Sequence, residues 1–330
     1  MRLSFRRVAQ RPPSPTVAAG RVLTASLAVA GTLALAACGS QAGSGSGSSQ
    51  SGTGKIEVVA STNVYGDIAK SIGGDKVNVT SIISKASQDP HSYEATTQDR
   101  LAVSKAKLAI VNGGGYDDFM TRLTDDAKLT GDSVLNAVDA SGLRTGADAS
   151  AGAEFNEHIW YSQDAMQKVA QAIADRLGKL DPADAQTFTQ RAAQWDSKLG
   201  GITSKLAAIK AAHSGKGVAV TEPVPLYMLE AAGLENKTPE SFSSAVEAGN
   251  DVPPAALKEM QDLLSSHGVA LLAFNPQTES PQTEALKKFA QDAKVPVADF
   301  LETMPEGTDY ITWMTQNADE IATALGAARS

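Results

Sequence analysis

Four histidines are the chain's whole supply of imidazole, and two of them stand apart from the others. His91 lies in Asp89-Pro90-His91-Ser92-Tyr93-Glu94, and His158 lies in Glu157-His158-Ile159-Trp160. Both read as loop residues with a helix beginning soon after. His213 and His267 instead end helical segments just ahead of glycine, where a cation complements the helix dipole and caps carbonyls. Two acids hold matching places in the second half. Glu222 follows an apolar strand in Thr221-Glu222-Pro223, and Glu302 follows another in Leu301-Glu302-Thr303. Two imidazoles and two carboxylates converging on one cleft suit a divalent transition metal. Other chemistries have less to stand on. There is no His-Glu-x-x-His, no Gly-x-Ser-x-Gly and no candidate catalytic cysteine. Gly113-Gly114-Gly115 follows a strand as a phosphate loop would, but no Gly-Lys-Ser follows it and Asp117 and Asp118 would repel phosphate. A tight turn is the better reading.

The elements that must position these residues alternate along the chain. Strands are expected at 56–60, 77–83, 108–111 and 134–138, with helices at 64–72, 96–106 and from about 117. A second series follows, with strands at 217–221, 269–274 and 295–299 and helices at 226–232, 254–266, 283–293 and 310–325. This alternation predicts α/β lobes, each a parallel sheet covered by helices. Between them Phe188, Ala192, Trp195, Leu199, Ile202, Leu206 and Ile209 recur at spacings of 4 and 3, the signature of one amphipathic helix. Asp181-Pro182 reads as its N-cap and first turn. Over 183–212 it would run roughly 45 Å, long enough to join two lobes as a strut. Ligands of open α/β sheets bind beyond the carboxyl ends of the strands, which puts a cleft between the lobes.

The N-terminus carries an address. Arg2, Arg6, Arg7, Arg11 and Arg21 precede an apolar run from Val22 to Ala37, and Leu35-Ala36-Ala37 leads into the chain's one cysteine, Cys38. The run is shorter than the roughly 20 residues a membrane span needs. The pattern is that of an export signal, and with cysteine at the cleavage site it resembles the lipobox of bacterial lipoproteins. That resemblance implies cleavage before Cys38, a lipid on its sulfur, and a mature protein held at the extracytoplasmic face of the cytoplasmic membrane. The expected organisation is a signal peptide at 1–37, an anchored Gly/Ser tether at 38–54, an N-terminal lobe at 55–180, the long helix at 181–214 and a C-terminal lobe at 215–330. Losing residues 1–38 leaves 24 basic against 37 acidic residues, a net charge of −13 instead of −8. Such a chain does not bind nucleic acid or anionic lipid through its net field.

From about Ile56 onward the chain resembles the zinc- and manganese-type solute-binding lipoproteins of ABC importers. Val59-Ala60-Ser61-Thr62 with Asp67-Ile68-Ala69, the Asp89 to Glu94 and Glu157 to Trp160 segments, Leu108 to Gly113, and Asp181-Pro182 carry the likeness. The resemblance implies two lobes joined by a rigid helix, four cleft ligands for one metal ion, a monomer, and a permease with its ATPase as partners. His91 and His158 match the first two ligands. Glu222 falls where many members place a third histidine and some a glutamate. Glu302 falls near a common aspartate position, with Asp299 as its rival. No histidine-rich loop is present at 140–155.

Capture of one Zn²⁺ or Mn²⁺ as transported cargo, without catalysis, is the reading that follows. Two nitrogens and two carboxylates make a harder site than three histidines and lean toward manganese, although zinc should bind at least as tightly in vitro. Affinity is expected to fall as the histidines protonate. The alternative is an exported zinc metallohydrolase, with His91, His158 and Glu222 holding zinc and Glu302 as general base. A siderophore binder would need a broad aromatic or basic pocket, and aromatics are 5% of the chain.

Overall fold

The computed structural model describes residues 54–144 and 155–326. The signal segment, Cys38 and the tether up to residue 53 lie outside the described residues, as do residues 145–154 of the mid-chain loop. The first half runs β1 (Ile56–Thr62), α1 (Asn63–Gly73), β2 (Val77–Ile83), α2 (Thr97–Lys105), β3 (Leu108–Val111), α3 (Asp118–Asp126), β4 (Val134–Asn136), α4 (Ala137–Ser141) and α5 (Gln163–Leu180). The long helix α6 (Ala185–His213) follows. The second half runs β5 (Gly217–Val220), α7 (Leu226–Ala231), β6 (Glu235–Asn236), α8 (Glu240–Glu247), α9 (Pro254–Ser265), β7 (Leu272–Phe274), α10 (Pro281–Asp292), β8 (Val297–Asp299) and α11 (Tyr310–Ala324).

The sheets have the same plan: β2-β1-β3-β4 in the first half and β6-β5-β7-β8 in the second. Every strand pairing is parallel, with Ile56 opposite Val77 and Ala219 opposite Leu272 among the registers. β3 (LAIV) and β5 (GVAV) are buried along their whole length, the continuous apolar text expected of strands covered on both faces. In each sheet the strand order reverses between the first and third strands. That switch point opens a crevice at the carboxyl ends, between β1 and β3 in one half and between β5 and β7 in the other.

α6 buries its whole stripe, Phe188 through Ile209. It packs on α1 and α5 of the first half and on α7 and α11 of the second. One apolar cluster therefore runs through both halves, from Ile56, Ile68 and Leu108 across Trp195 and Leu199 to Val218, Trp313 and Ile321. Each half adds a smaller cluster on the far face of its sheet. Hydrogen bonds stitch the halves further. Asn63 and Met304 exchange two of them, and Tyr310 donates its backbone N–H to Asp67 and its hydroxyl to the Trp160 carbonyl.

Three local expectations need correction. The long helix begins at Ala185, not after Asp181-Pro182, because the Asp181 N–H closes the last turn of α5 on Leu177. Asp184 takes the N-cap position but turns its carboxylate to Lys76, 2.6 Å away. β4 stops at Asn136, whose side chain caps α4 by accepting the Asp139 N–H. The short β6 and α8 are additions to the expected elements. β6 is two exposed polar residues, and α8 has only Phe242 and Val246, four apart, to mark its buried face.

Candidate metal centre

His91 is set by its own motif. The Asp89 carboxylate accepts the His91 backbone N–H at 2.9 Å and the Ser92 hydroxyl at 2.6 Å, and Pro90 fixes the backbone between them. His158 is set by Asn156, which sequence reasoning missed. The Asn156 amide donates to the Pro223 carbonyl, so its oxygen faces His158 and accepts both the backbone N–H and Nδ1, the latter at 2.8 Å. Nδ1 thus carries the ring proton, an assignment made from the network, and Nε2 keeps its lone pair for a ligand.

The carboxylates come from the second half. Glu222 follows β5 and Glu302 follows β8. Asn275, the residue after β7, joins them: its Nδ2 lies 2.5 Å from Glu222 Oε2 and 2.7 Å from Glu302 Oε1. The Gln277 N–H donates to Asn275 Oδ1 and so aims the NH₂ at the acids. Thr278 donates its hydroxyl to the same oxygen of Glu222. Glu302 Oε2 is buried and has no partner, a costly state for a carboxylate oxygen unless a cation or proton meets it.

His91, His158 and Glu302 are brought together, each offering one ligand atom within 4.8 Å of the others. Glu222 is not in that mutual set and reaches Glu302 through Asn275. Asp299 ends β8 and pairs with Lys287 on the surface at 3.1 Å, with half of its side chain exposed. His213 closes α6, and His267 holds the left-handed turn after α9 at φ +53°. Gly113, Gly114 and Gly115 all have positive φ, and the Asp117 carboxylate takes the Asn112 and Gly113 N–H groups. Those are donors a phosphate would need, so the turn reading holds.

An aromatic wall lines the imidazoles. Tyr116 stands edge-on to His91 at 5.1 Å between centroids, and Trp160 does the same to His158. Burial in this surrounding pushes the His158 pKa down to about 3, with the neighbouring His91 adding to it, and lowers His91 as well. Burial raises Glu222 to about 7, against the opposing bonds from Thr278 and Asn275. Burial, then the charge of Glu222, raises Glu302 to about 8. The pocket is therefore short of positive charge: neutral imidazoles face carboxylates that burial disfavours as anions.

Gln277 ties these parts together. Its Oε1 accepts the Glu302 N–H at 2.6 Å and the Thr303 N–H, and its Nε2 reaches the Ala86 carbonyl at 2.9 Å, in the loop that leads to His91. Gln277→Ala should loosen both sides of the site at once. Outer partners of metal ligands typically contribute about 10–100-fold in affinity. We expect a loss in that range by competitive titration, with the thermal unfolding of the metal-free chain lowered as well because the Glu302 and Thr303 N–H groups lose their acceptor. Unchanged affinity would remove Gln277 from the site.

Two matched parallel-sheet lobes, tied by one long helix and meeting over a buried imidazole–carboxylate pocket, define the class of two-lobed binding proteins. The profile of the ZnuA family, described as zinc-uptake complex component A, periplasmic, matches residues 58–324. The chain belongs to this family. It is similar to the metal ABC transporter substrate-binding lipoprotein ScbA of Streptococcus cristatus, 27% identical over 307 residues, covering 88% of this chain and 94% of that one. It is also similar to the manganese ABC transporter substrate-binding lipoprotein ScaA of Streptococcus gordonii, at 26% with the same coverage. Among solved structures, the periplasmic zinc binding protein TroA from Treponema pallidum shares the fold with a TM-score of 0.68 at 22% identity, over 83% of this chain and all of that one. The Mn²⁺ complex of FpvC from Pseudomonas aeruginosa shares it at 0.66 and 22%, over 83% of this chain and 99% of that one. The family is one of substrate-binding components, not of enzymes.

Proposed function

We propose that this chain captures one divalent transition-metal ion outside the cytoplasmic membrane and delivers it to an ABC permease driven by its ATPase. The observation that carries the reading is the buried Glu302 carboxylate, one oxygen of which has no partner, gathered with the two imidazoles. An ion of charge +2 supplies what that pocket lacks. His91, His158 and Glu302 are the proposed ligands, and Glu222 joins by leaving Thr278 and Asn275. The donor set of two nitrogens and two carboxylates leans toward Mn²⁺ as cargo, and the names of the Streptococcus relatives agree with that lean. Zn²⁺ should still bind tightly in vitro. The lobes are proposed to span 55–180 and 215–330, with Cys38 carrying the lipid. No helix among the described residues is long and apolar enough to cross a membrane. Neither the family nor these relatives lend support to the hydrolase alternative.

Elemental analysis and competitive titration of the full chain test the reading, with His91→Ala and Glu222→Gln alongside. One equivalent of Zn²⁺ or Mn²⁺, weakened in both variants, is expected. No binding by the unchanged chain would overturn the function, and normal binding by the variants would overturn the ligand set.

A further inference from the structure

Beside the inner set of His91, His158 and Glu302 lies a second set of three donors. Glu157, His158 and Glu247 each offer a ligand atom, and these atoms also lie within 4.8 Å of one another. His158 belongs to both sets. Glu157 links them from another side, with its Oε1 3.6 Å from His91 Nε2. The donors form a row graded by burial. Glu247, the last residue of α8, is half-buried, Glu157 is 8% exposed and His158 is 1% exposed.

The outer end of the row opens on water. Glu247 and His91 line one cavity of about 630 Å³, whose wall also carries Asp89, Asp251 and Glu279 and neither Lys nor Arg. A water molecule takes roughly 30 Å³, so the space suits an ion that still holds its water shell. A hydrated ion cannot enter the aromatic-walled inner pocket whole. It must exchange waters for protein donors a few at a time. Carboxylate oxygen is the natural first replacement for water on a divalent cation, and imidazole follows.

We propose that Glu247 and Glu157, with His158, form a loading subsite that takes a partly hydrated divalent transition-metal ion from this cavity and passes it to the inner set. Because His158 is shared, a single ion occupies one set or the other, and the stoichiometry stays at one. The subsite lies on the path and not at its end. It therefore speeds arrival and departure alike. This inference rests on the capture reading.

Stopped-flow mixing of the full chain with Mn²⁺ or Zn²⁺ alone tests it, followed by the tryptophan emission of Trp160 beside His158 and, for release, by a competing chelator. Glu247→Gln and Glu157→Gln are compared with Asp251→Asn, which neutralises an acid of the same cavity wall outside the donor row. The expected result is that association and dissociation rates both fall on the order of tenfold in the two Gln variants. The loss of affinity should stay below the roughly 10–100-fold of an outer partner of a ligand, and the effect on the rates should persist at about 0.5 M salt, where long-range fields are screened. Asp251→Asn should leave dissociation unchanged. Slower association alone, erased by salt or matched by Asp251→Asn, would reduce the row to a general acidic field and overturn the proposal. Wild-type rates in both Gln variants would overturn it too, as would a loss of affinity in Glu157→Gln as deep as that in His91→Ala, which would make Glu157 an inner ligand. A wild-type chain that takes up no ion overturns the capture reading along with this one, whereas normal wild-type loading isolates the failure here.

Discussion

Glu302→Gln should yield a chain that has lost its ion and gained stability. Glutamine keeps an oxygen for the Asn275 amide and replaces the unpartnered Oε2 with an uncharged NH₂. It removes the buried anion and its repulsion with Glu222. The pKa of Glu302 in the folded chain is about 8, above its ordinary 4.5. The folded state therefore holds a proton that the unfolded chain has released, and stability from this source is complete below about pH 4.5 and lost as pH rises through 8. The gain in the variant should thus appear above pH 8, on the order of 2 kcal/mol, and vanish near about pH 5. Metal affinity should fall by more than the roughly 100-fold that an outer partner can cost. Urea unfolding at both pH values, paired with competitive titration, reads the two effects. A variant that binds normally and is destabilised at high pH would take Glu302 out of the site.

Metal affinity should climb steeply between about pH 6 and 8.5, and the protons involved are carboxylic. The expectation from sequence was that histidine protonation sets this dependence. In the folded chain burial moves His158 to about 3 and lowers His91, while Glu222 and Glu302 rise to about 7 and 8. Near pH 6 an arriving ion must displace two carboxylic protons, and above pH 8.5 almost none. Apparent affinity should therefore rise by about 10²–10³ across that range. Calorimetry in buffers of different ionisation heat should count close to two protons released at the low end. The metal-free chain should lose stability over the same range. Depressed histidines cost the fold stability only below their unfolded pKa, so above about 6.5 the carboxylates act alone. A flat affinity profile above pH 6 would mean that the acids are ionised in the empty site and do not bear on the ion.

Much of the scaffold was legible because buried parallel strands and the α6 stripe leave strong patterns. Leu108–Val111 and Phe188 through Ile209 are examples. His91 was legible because Asp89-Pro90 builds its turn within four residues. Asn156, Asn275 and Gln277 were not legible. Asn275 reaches Glu222 over 53 residues and Gln277 reaches Ala86 over 191, while Asn156 sits two residues from His158 but is aimed by the Pro223 carbonyl 67 residues on, and a lone polar residue carries no mark of such a partner. The sequence favours Glu302 over Asp299, and the chain's path after β8 buries Glu302 while leaving Asp299 with Lys287 on the surface. The start of α6 was misread because a good capping residue, Asp181, was already spent on the helix before it.

The apolar cluster that α6 carries across both halves has a consequence for how the molecule comes apart. Neither sheet owns a complete inner face without Trp195, Leu199 and Ile202, and removing either half would strip the partner surface from that helix. The two lobes are thus two in outline and one in cooperativity. Heat should melt them together in a single endotherm whose calorimetric and van't Hoff enthalpies agree. A ligand that touches only the cleft then raises the unfolding free energy of both halves together.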